Sequence, residues 1–222
     1  MMTLTVYADS TPNPYKVTIL LESLGLDYDL VHLDFSKNEQ KTPEFLKINP
    51  NGKVPVLVDD GFTVIESGAI LMHLAEKHGR FLPKDVQKKS ETLQWLMWQM
   101  AGLGPVFGQL LVFAVAFGNE MPRATKRYQA EVLRLLSVLN SGLEGKDWVA
   151  AGEHTNADMA IWPWVRMTER AQIPLVDMPN LKRWYERLGQ MDAYITGVEI
   201  LGDKPEETRM KGFFGATVGV GS

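Results

Sequence analysis

The spacing of hydrophobic and polar positions changes part-way along the chain. Residues 3–7 and 28–35 alternate with the period of two that predicts strands, and apolar positions between them recur at helical spacing. Asn13 followed by Pro14 predicts the start of this helix, as a capping side chain before a proline at the first helical position. Gly25 predicts its end. The amino-terminal pattern is therefore strand, helix, strand.

A second group of short elements follows. The Thr-Pro pair at residues 42–43 predicts the start of a short helix, and residues 54–58 and 63–65 predict two strands joined by an Asp-Asp-Gly turn. A helix capped by Ser67 is predicted to run to His78. The order β-α-β-α-β-β-α implies one crossover and a mixed sheet, and it matches a thioredoxin-like domain.

The second half of the chain has a helical pattern throughout. Four helices are predicted, over residues 90–117, 122–143, 159–172 and 181–191. Pro105 is expected to kink or break the first, and a capping box at Thr155 opens the third. This half is expected to form an all-helical bundle.

The predicted fold class is thus α/β plus all-α. It comprises a thioredoxin-like domain over residues 1–82, a linker over 83–87, a helical domain over 88–200 and a carboxyl-terminal tail over 201–222.

Composition narrows the class of protein. The chain has 222 residues, of which 45% are hydrophobic and 23% charged, as in ordinary globular proteins. A formal net charge of −4 lacks the basic footprint of a nucleic-acid-binding protein. We find no apolar run of membrane-spanning length and no basic-then-apolar leader, so we expect a cytoplasmic protein that binds neither nucleic acid nor membrane.

The chain contains no cysteine. Disulfides, thiolate metal sites and a protein thiol nucleophile are therefore excluded. Its four histidines have no metal-binding spacing, so no metal site is expected. If the protein performs thiol chemistry, a ligand must supply the thiol.

Residues 54–67 place backbone-binding and charge-binding groups in one short stretch. Pro55 holds Val54 extended and marks a strand start or edge, which leaves the carbonyl and N–H of Val54 available to an outside peptide. Glu66 and Ser67 follow at the mouth of a helix, whose unpaired N–H groups favour a carboxylate. A small zwitterionic peptide fits this combination.

This stretch resembles the glutathione-binding half of the cytosolic glutathione transferase superfamily, and the resemblance extends from Thr3 to about Ile200. It implies glutathione as a cosubstrate. It also implies that Pro55 is cis and that Val54 pairs with the cysteinyl backbone of glutathione. Glu66 and Ser67 are implied to hold the γ-glutamyl end.

Three segments resemble the bacterial nu class of that superfamily, namely residues 11–13, 103–109 and 126–129. Members of this class are related to the yeast prion-forming nitrogen regulator. The resemblance implies reduction of disulfides with glutathione, or binding of glutathione disulfide, with weak conjugation. It further implies a homodimer in which Arg127 reaches a second glutathione across the subunit interface.

A glutathione thiol must be stabilised as the thiolate, because free thiols titrate about a unit or more above neutral pH. We expect Asn13 and Thr11 to do this at the start of the first helix, where the dipole and N–H donors favour negative charge. The residues alone leave Asn13 open as a helix cap and Thr11 as part of a turn. Ser10 and Tyr7 are rivals for the same role.

Further residues are expected around the peptide site. Lys53 is placed to meet the glycyl carboxylate, with a solvated lysine as the alternative, and Asn51 flanks it. Gln40 matches a glutamine that the resembled class uses for the same end. A solvated helix face is the alternative for Arg127. The pocket for the second substrate is expected from apolar residues of the helical domain, among them Phe107, Leu111, Phe113 and Phe117.

The function expected from these residues is that of a glutathione-dependent disulfide-bond reductase or glutathione transferase. A glutathione thiolate attacks a disulfide, and a second glutathione resolves the mixed disulfide. One alternative is a conjugating transferase acting on soft electrophiles. The other is a non-catalytic glutathione-binding regulator.

Overall fold

The computed structural model describes residues 3–117 and 120–202, which fall into two compact units. The first unit comprises the chain up to Leu74 together with residues from Ala193 onward, and the second comprises Ala75–Asp192. The domain boundaries expected from the sequence, at residues 82, 87 and 200, stay a prediction. Most of the predicted tail, residues 203–222, lies outside the described residues.

The first unit is built on a four-stranded mixed sheet, as predicted. Its strands are β1 (Leu4–Ala8), β2 (Asp29–His32), β3 (Val56–Asp59) and β4 (Phe62–Ile65), in the spatial order β2-β1-β3-β4. β1 and β2 are parallel, and the other two pairs are antiparallel. The helices that follow the strands are α1 (Pro12–Leu24), α2 (Pro43–Ile48) and α3 (Ser67–His78).

The predictions for the start of α1 and for the length of the second strand are wrong. α1 begins at Pro12 with Thr11 at the N-cap, so Asn13 is the second helical residue and not the cap. Thr11 is extended because it precedes a proline. The second strand is shorter than predicted, since the Asp34 carboxylate accepts a hydrogen bond from the Ser36 N–H at 2.9 Å and starts a 3-10 turn instead.

The second unit is helical. It contains α4 (Val86–Trp98), α5 (Gly104–Leu111), α6 (Pro122–Gly142), α7 (Asn156–Val165), α8 (Met167–Arg170) and α9 (Pro179–Gly189). The predicted capping box is present at the start of α7, where the Asp158 carboxylate accepts from the Thr155 N–H at 3.0 Å. The helix predicted over residues 159–172 is interrupted after Val165. The last helix in the described part of the chain is α10 (Asp192–Glu199), which we did not predict and most of which belongs to the first unit.

Pro105 does not break the helix in which it lies. Residues Gln99–Leu103, just before it, form a π-helical segment, and Val112–Ala116 form a second one after α5. A proline lacks an N–H and its ring collides with the carbonyl four residues earlier. The wider π turn changes that hydrogen-bonding pattern, and the helix continues past the proline.

The continuous helix also overturns one composition-based expectation. The stretch Val86–Ala116 has 31 residues, and by length and composition alone it could cross a membrane, with a mean hydropathy of 1.5 in its most apolar window. The sequence had led us to expect no apolar run of membrane-spanning length. Core helices of soluble proteins meet the same criterion, and within the second unit this stretch packs against α6 and α7.

Candidate functional site

Three loop segments lie at the same end of the sheet of the first unit, namely those that follow β1, precede β3 and follow β4. Tyr7 in β1 pairs with Val56 in β3, and Val56 pairs with Ile65 in β4. Because β3 is antiparallel to both neighbours, the carboxyl ends of β1 and β4 lie beside its amino end. The segments that hold the predicted thiol, backbone and carboxylate contacts are therefore brought together.

The amino end of α1 has fewer backbone donors than we expected. Pro12 and Pro14 occupy the first and third helical positions and carry no N–H. Of these three positions, Asn13 alone keeps one. An anion at this end must therefore be stabilised chiefly by polar side chains, with a contribution from the helix dipole.

Thr11 and Asn13 both lie at this end of α1. The Thr11 side chain makes no capping hydrogen bond. The backbone N–H of Thr11 donates to the Asp9 carbonyl at 2.7 Å. Thr11 is 9% exposed and Asn13 is half-buried. Their roles in thiol activation stay a prediction.

The two rival residues have structural contacts of their own. The Ser10 hydroxyl donates to the Gly202 carbonyl at 2.8 Å and lies 2.7 Å from the Tyr15 hydroxyl, so it both donates and accepts. Ser10 is only 3% exposed. Tyr7 packs against Phe45 of α2, with 5.8 Å between ring centroids. These contacts favour structural roles for Ser10 and Tyr7.

An Asn-Pro-Asn-Gly turn carries the chain towards β3. Asn49 is 2% exposed, its Nδ2 donates to the Lys53 carbonyl at 2.7 Å, and its Oδ1 accepts from the Asn51 N–H at 3.0 Å. The Val54–Pro55 peptide bond is cis, as the resemblance implied. Asn51 and Lys53 are exposed, and Val54 is half-buried.

Gln40 packs under the same turn. Gly52 has a φ of +61°, and a Cβ there would lie 2.9 Å from the Gln40 carbonyl oxygen and 2.8 Å from the Lys41 Nζ. Gln40 is 4% exposed, and its side-chain Oε1 has no hydrogen-bond partner within the described residues. Only glycine fits this close approach, which holds Gln40 beside the turn.

The amino end of α3 is polar and backbone-strained. Glu66 has a φ of +69°, in the left-handed region that residues other than glycine rarely adopt. Its carbonyl accepts from the Ile70 N–H at 2.9 Å, so Glu66 occupies the capping position. Ser67 is therefore the first helical residue and not the cap that we predicted. The exposed Glu66 carboxylate lies 3.4 Å from the Asn51 Nδ2.

Lys16 of α1 reaches this end of α3, and we did not predict it. It is 0% exposed, and its Nζ donates to the Ser67 Oγ at 3.3 Å. Burial lowers the pKa of Lys16 to about 7, and the Glu66 carboxylate opposes that shift. The sequence did carry a signal, because Lys16 lies four and eight residues before Leu20 and Leu24, on the apolar face of α1.

Arg127 belongs to the second unit. It lies on α6, where its guanidinium is 3.7 Å from the Glu131 carboxylate and its side chain is 70% exposed. An exposed ion pair of this kind contributes little to stability. The role that the resemblance implied for Arg127 stays a prediction.

Two of the four residues expected to line a second-substrate pocket are core residues. Phe107 is 0% and Leu111 3% exposed, and Phe107 packs on Trp164 with 6.4 Å between ring centroids. The prediction is therefore wrong for these two. Phe113 and Phe117 are half-buried and contact each other with centroids 5.9 Å apart.

Throughout residues 3–117 and 120–202, no three His, Asp or Glu side chains are grouped so that they could hold a metal ion. The polar groups at this end of the sheet include neutral donors, the Glu66 carboxylate and the buried Lys16 ammonium, with the exposed Lys53 nearby. This arrangement can bind a zwitterionic molecule and stabilise a developing anion.

Comparison with known proteins identifies the family. Residues 2–76 match the glutathione S-transferase N-terminal domain, and residues 106–191 match the glutathione S-transferase C-terminal domain. The chain therefore belongs to the glutathione S-transferase superfamily, as its resemblance indicated, and it is an enzyme.

Its relatives include disulfide-bond oxidoreductases and the yeast protein Ure2p. YfcG of Escherichia coli (strain K12), a disulfide-bond oxidoreductase, is 44% identical over 203 residues, which cover 88% of this chain and 94% of YfcG. A glutathione transferase from Pseudomonas putida, solved with one glutathione disulfide per subunit, has a TM-score of 0.86 and 38% identity over 89% of this chain and 91% of its own. Ure2p in complex with glutathione has a TM-score of 0.84 and 31% identity over 87% and 97%, respectively.

Proposed function

We propose that this enzyme is a glutathione-dependent disulfide-bond oxidoreductase. The observation that carries the proposal is the meeting, at one end of the sheet, of a neutral polar helix end, the Val54 backbone before the cis Pro55, and a charged helix end. Glutathione has matching parts in the same number: a thiol, a peptide backbone and a γ-glutamyl zwitterion. The names of its relatives support the same activity.

Each part of glutathione has a proposed partner. The γ-glutamyl ammonium pairs with Glu66 and its carboxylate with Ser67, while the cysteinyl backbone pairs with Val54 beside Pro55. The glycyl carboxylate lies near Gln40, Asn51 and Lys53. This placement puts the thiol at the amino end of α1, with Thr11 and Asn13.

The reaction is thiol–disulfide exchange in two steps. The glutathione thiol loses its proton to solvent, and Asn13 and Thr11 donate hydrogen bonds to the resulting thiolate. The thiolate attacks one sulfur of the disulfide, forms a mixed disulfide and expels the other sulfur as a thiolate, which takes up a proton. A second glutathione attacks the mixed disulfide, so that glutathione disulfide and the second reduced thiol leave.

We further propose that the enzyme acts as a homodimer in the cytoplasm, with Arg127 of one subunit contacting the second glutathione bound by the other. Glutathione is a cosubstrate here and no metal takes part. The dimer is testable by sedimentation at several protein concentrations, with Arg127→Gln as a variant expected to raise the KM for the second glutathione.

The deciding experiment compares two steady-state assays on the purified protein, one with glutathione and 2-hydroxyethyl disulfide and one with glutathione and chlorodinitrobenzene. Fast disulfide reduction with weak conjugation is the expected result. Fast conjugation with weak reduction would make the protein a conjugating transferase. Tight glutathione binding with neither activity would make it a regulator, the possibility that the likeness to Ure2p raises.

A further inference from the structure

We propose that Lys16 is a positioning residue for the γ-glutamyl carboxylate of glutathione. It supplies a buried positive charge behind Ser67 and sets the direction of the Ser67 hydroxyl. This inference rests on the proposed function, because it concerns the glutathione site described above, and it adds a charge on α1 to the pocket at the amino end of α3.

The burial of Lys16 is the first observation. Lysine is almost never fully buried unless its charge serves a partner, because removing an ammonium from water is costly. Here the side chain is 0% exposed although it lies on α1, only five residues after Thr11. Packing alone does not require a lysine at this place, since the neighbouring buried positions Val17 and Leu20 are filled by aliphatic side chains.

The contact with Ser67 is the second observation. A lysine ammonium has three donors and no acceptor, so the Ser67 Oγ accepts in the 3.3 Å contact with Lys16. The Ser67 hydroxyl proton must then be directed at an acceptor other than Lys16. A carboxylate bound at the start of α3 is an acceptor of the right kind.

The position of the charge is the third observation. The amino end of α3 carries the positive end of the helix dipole, and the Lys16 ammonium has the same sign. Two like charges at one place disfavour the empty pocket and favour an anion in it. Burial also lowers the pKa of Lys16 to about 7, and the Glu66 carboxylate opposes that shift.

Glu66 gives the pocket its selectivity. Its exposed carboxylate lies next to Ser67 in the chain and interacts electrostatically with Lys16. A ligand with a carboxylate alone would be repelled by Glu66, and one with an ammonium alone by Lys16. An α-amino acid head group, which carries both charges on one carbon, satisfies both residues.

The test separates the two charges by ligand and by variant. The ligands are S-methylglutathione, which cannot undergo exchange, and the same tripeptide with 4-aminobutyryl in place of γ-glutamyl, which lacks only the α-carboxylate. The variants are Lys16→Met, which keeps the length without charge or donor, and Lys16→Gln, which keeps a donor without charge. Lys47→Met, at an exposed lysine of α2, controls for the change in net charge.

We expect Lys16→Met to weaken binding of S-methylglutathione about tenfold, the size of one partly screened charge interaction. Binding of the 4-aminobutyryl analogue should not weaken and should become tighter, because the repulsion between its ammonium and Lys16 is removed. Lys16→Gln should give an intermediate loss, and Lys47→Met none. In turnover with glutathione, the KM should rise with kcat nearly unchanged, because the carboxylate is bound equally in the ground and transition states.

Thermal unfolding provides the second readout. Replacing a buried charge by an apolar side chain of similar length is often neutral or stabilising, so Lys16→Met should unfold at the wild-type temperature or above it. If Lys16→Met does not fold, Lys16→Gln carries the same ligand comparison. Equal losses for both ligands, or no loss for either, would overturn the proposal while leaving the proposed function intact. Failure of the wild-type protein to bind S-methylglutathione would instead overturn the proposed function.

Discussion

The two helix ends at the sheet edge use different chemistry for similar tasks. The start of α1 offers neutral groups, because Thr11 and Asn13 carry no charge and two prolines remove backbone donors. The start of α3 offers a buried ammonium at Lys16 and an exposed carboxylate at Glu66. Each end faces a negative charge on the proposed ligand.

We relate this difference between the two helix ends to the charges of glutathione, some of which are permanent while the thiolate charge forms only during the reaction. The γ-glutamyl charges are permanent at neutral pH, so the proposed site meets them with fixed charges of opposite sign. The thiolate must form and then be consumed by attack on sulfur. A strong cation beside it would lower its nucleophilicity together with its pKa, whereas neutral donors stabilise it only moderately. Under the proposed function, the protein therefore binds glutathione with charged groups and activates its thiol with neutral hydrogen-bond donors.

The largest expected effect comes from a residue that supports α1 from behind. A Cβ at Gly197 of α10 would lie 2.8 Å from the backbone N of Ile19 and 2.9 Å from its Cα. Gly197→Ala must therefore push α10 away from α1 and break the 2.6 Å hydrogen bond from the Thr18 hydroxyl to the Gly197 carbonyl. We expect the free energy of unfolding, measured with urea, to fall by about 3 kcal/mol.

Gly108→Ala is the matched control for that variant. A Cβ at Gly108 in α5 would meet the Trp164 ring at 3.7 Å, an ordinary contact distance. Alanine has the higher helix propensity, so this variant should be as stable as the wild type or more stable. A wild-type stability for Gly197→Ala would show that the close approach of α10 to α1 is not required.

Asn13→Ala tests the neutral donors at the start of α1. Loss of one donor to a thiolate amounts to about 1.5–3 kcal/mol, so we expect turnover with 2-hydroxyethyl disulfide to fall about tenfold to a hundredfold. The affinity for S-methylglutathione should change little. Thr11→Val, which keeps the shape and removes the hydroxyl, tests the second donor in the same way. Unchanged turnover would remove Asn13 from the mechanism.

Two variants of Glu66 test the charged start of α3, because one changes only the carboxylate and the other also relieves the backbone. Glu66→Gln should weaken S-methylglutathione binding about tenfold with stability unchanged. Glu66→Gly should lose the same affinity yet gain about 1 kcal/mol of stability, since glycine adopts a φ of +69° without strain. Calorimetry and thermal unfolding measure the two effects. Equal stability of both variants would show that the left-handed backbone stores no strain.

The smallest expected effect is a pH dependence in the second unit. Burial lowers the pKa of His154 to about 4, and the nearby Arg187 adds to the shift. Its ring stacks on Trp148 with 4.6 Å between centroids. Because the unfolded chain binds a proton at a higher pH than the folded one, stability is full above about pH 6.5 and is lost as the pH falls towards 4.

We expect this histidine to remove less than about 1 kcal/mol of stability between pH 7 and pH 6. The free energy of unfolding, measured with urea at pH 6 and at pH 7, should change less with pH in His154→Gln than in the wild type. His32→Gln, at an exposed histidine, serves as the control and should behave as the wild type. If the free energy of unfolding changes equally with pH in all three proteins, the pH dependence does not come from His154. The result also separates pH effects on folding from those on ligand binding at Lys16.

Helix ends were predicted correctly where they depend on residues adjacent in the sequence. Gly25, with a φ of +69°, ends α1 as predicted, and α3 runs over Ser67–His78, the span predicted for it. Pro105 does not break its helix because the preceding turn widens into a π turn, and the local sequence does not indicate whether a turn can widen. α10 was missed because its Thr196-Gly197-Val198 run disfavours a helix, and the contact with Ile19 outweighs that preference.

The position of Val54, Glu66 and Ser67 at one end of the sheet was expected from the sequence, while their roles in binding stay a prediction. The motif around Val54 and Glu66 is contiguous, so its spacing carries the geometry. Lys16 is far from that motif in sequence, and its meeting with Ser67 depends on how α1 and α3 pack. The position of Asn13 within its helix was misassigned because both Pro12 and Pro14 can occupy a first helical turn.

The two π-helical segments have a consequence for how this chain tolerates changes in length. A π turn amounts to one residue inserted into an α-helix. Deleting a residue within Gln99–Leu103 would convert the π turn to a regular α turn and leave the residues after it in phase, so Phe107 would stay in the core. Deleting a residue from the α-helical stretch Val86–Trp98 would instead rotate everything after it by about 100°. The π segments are therefore the places where this helix tolerates a gap of one residue.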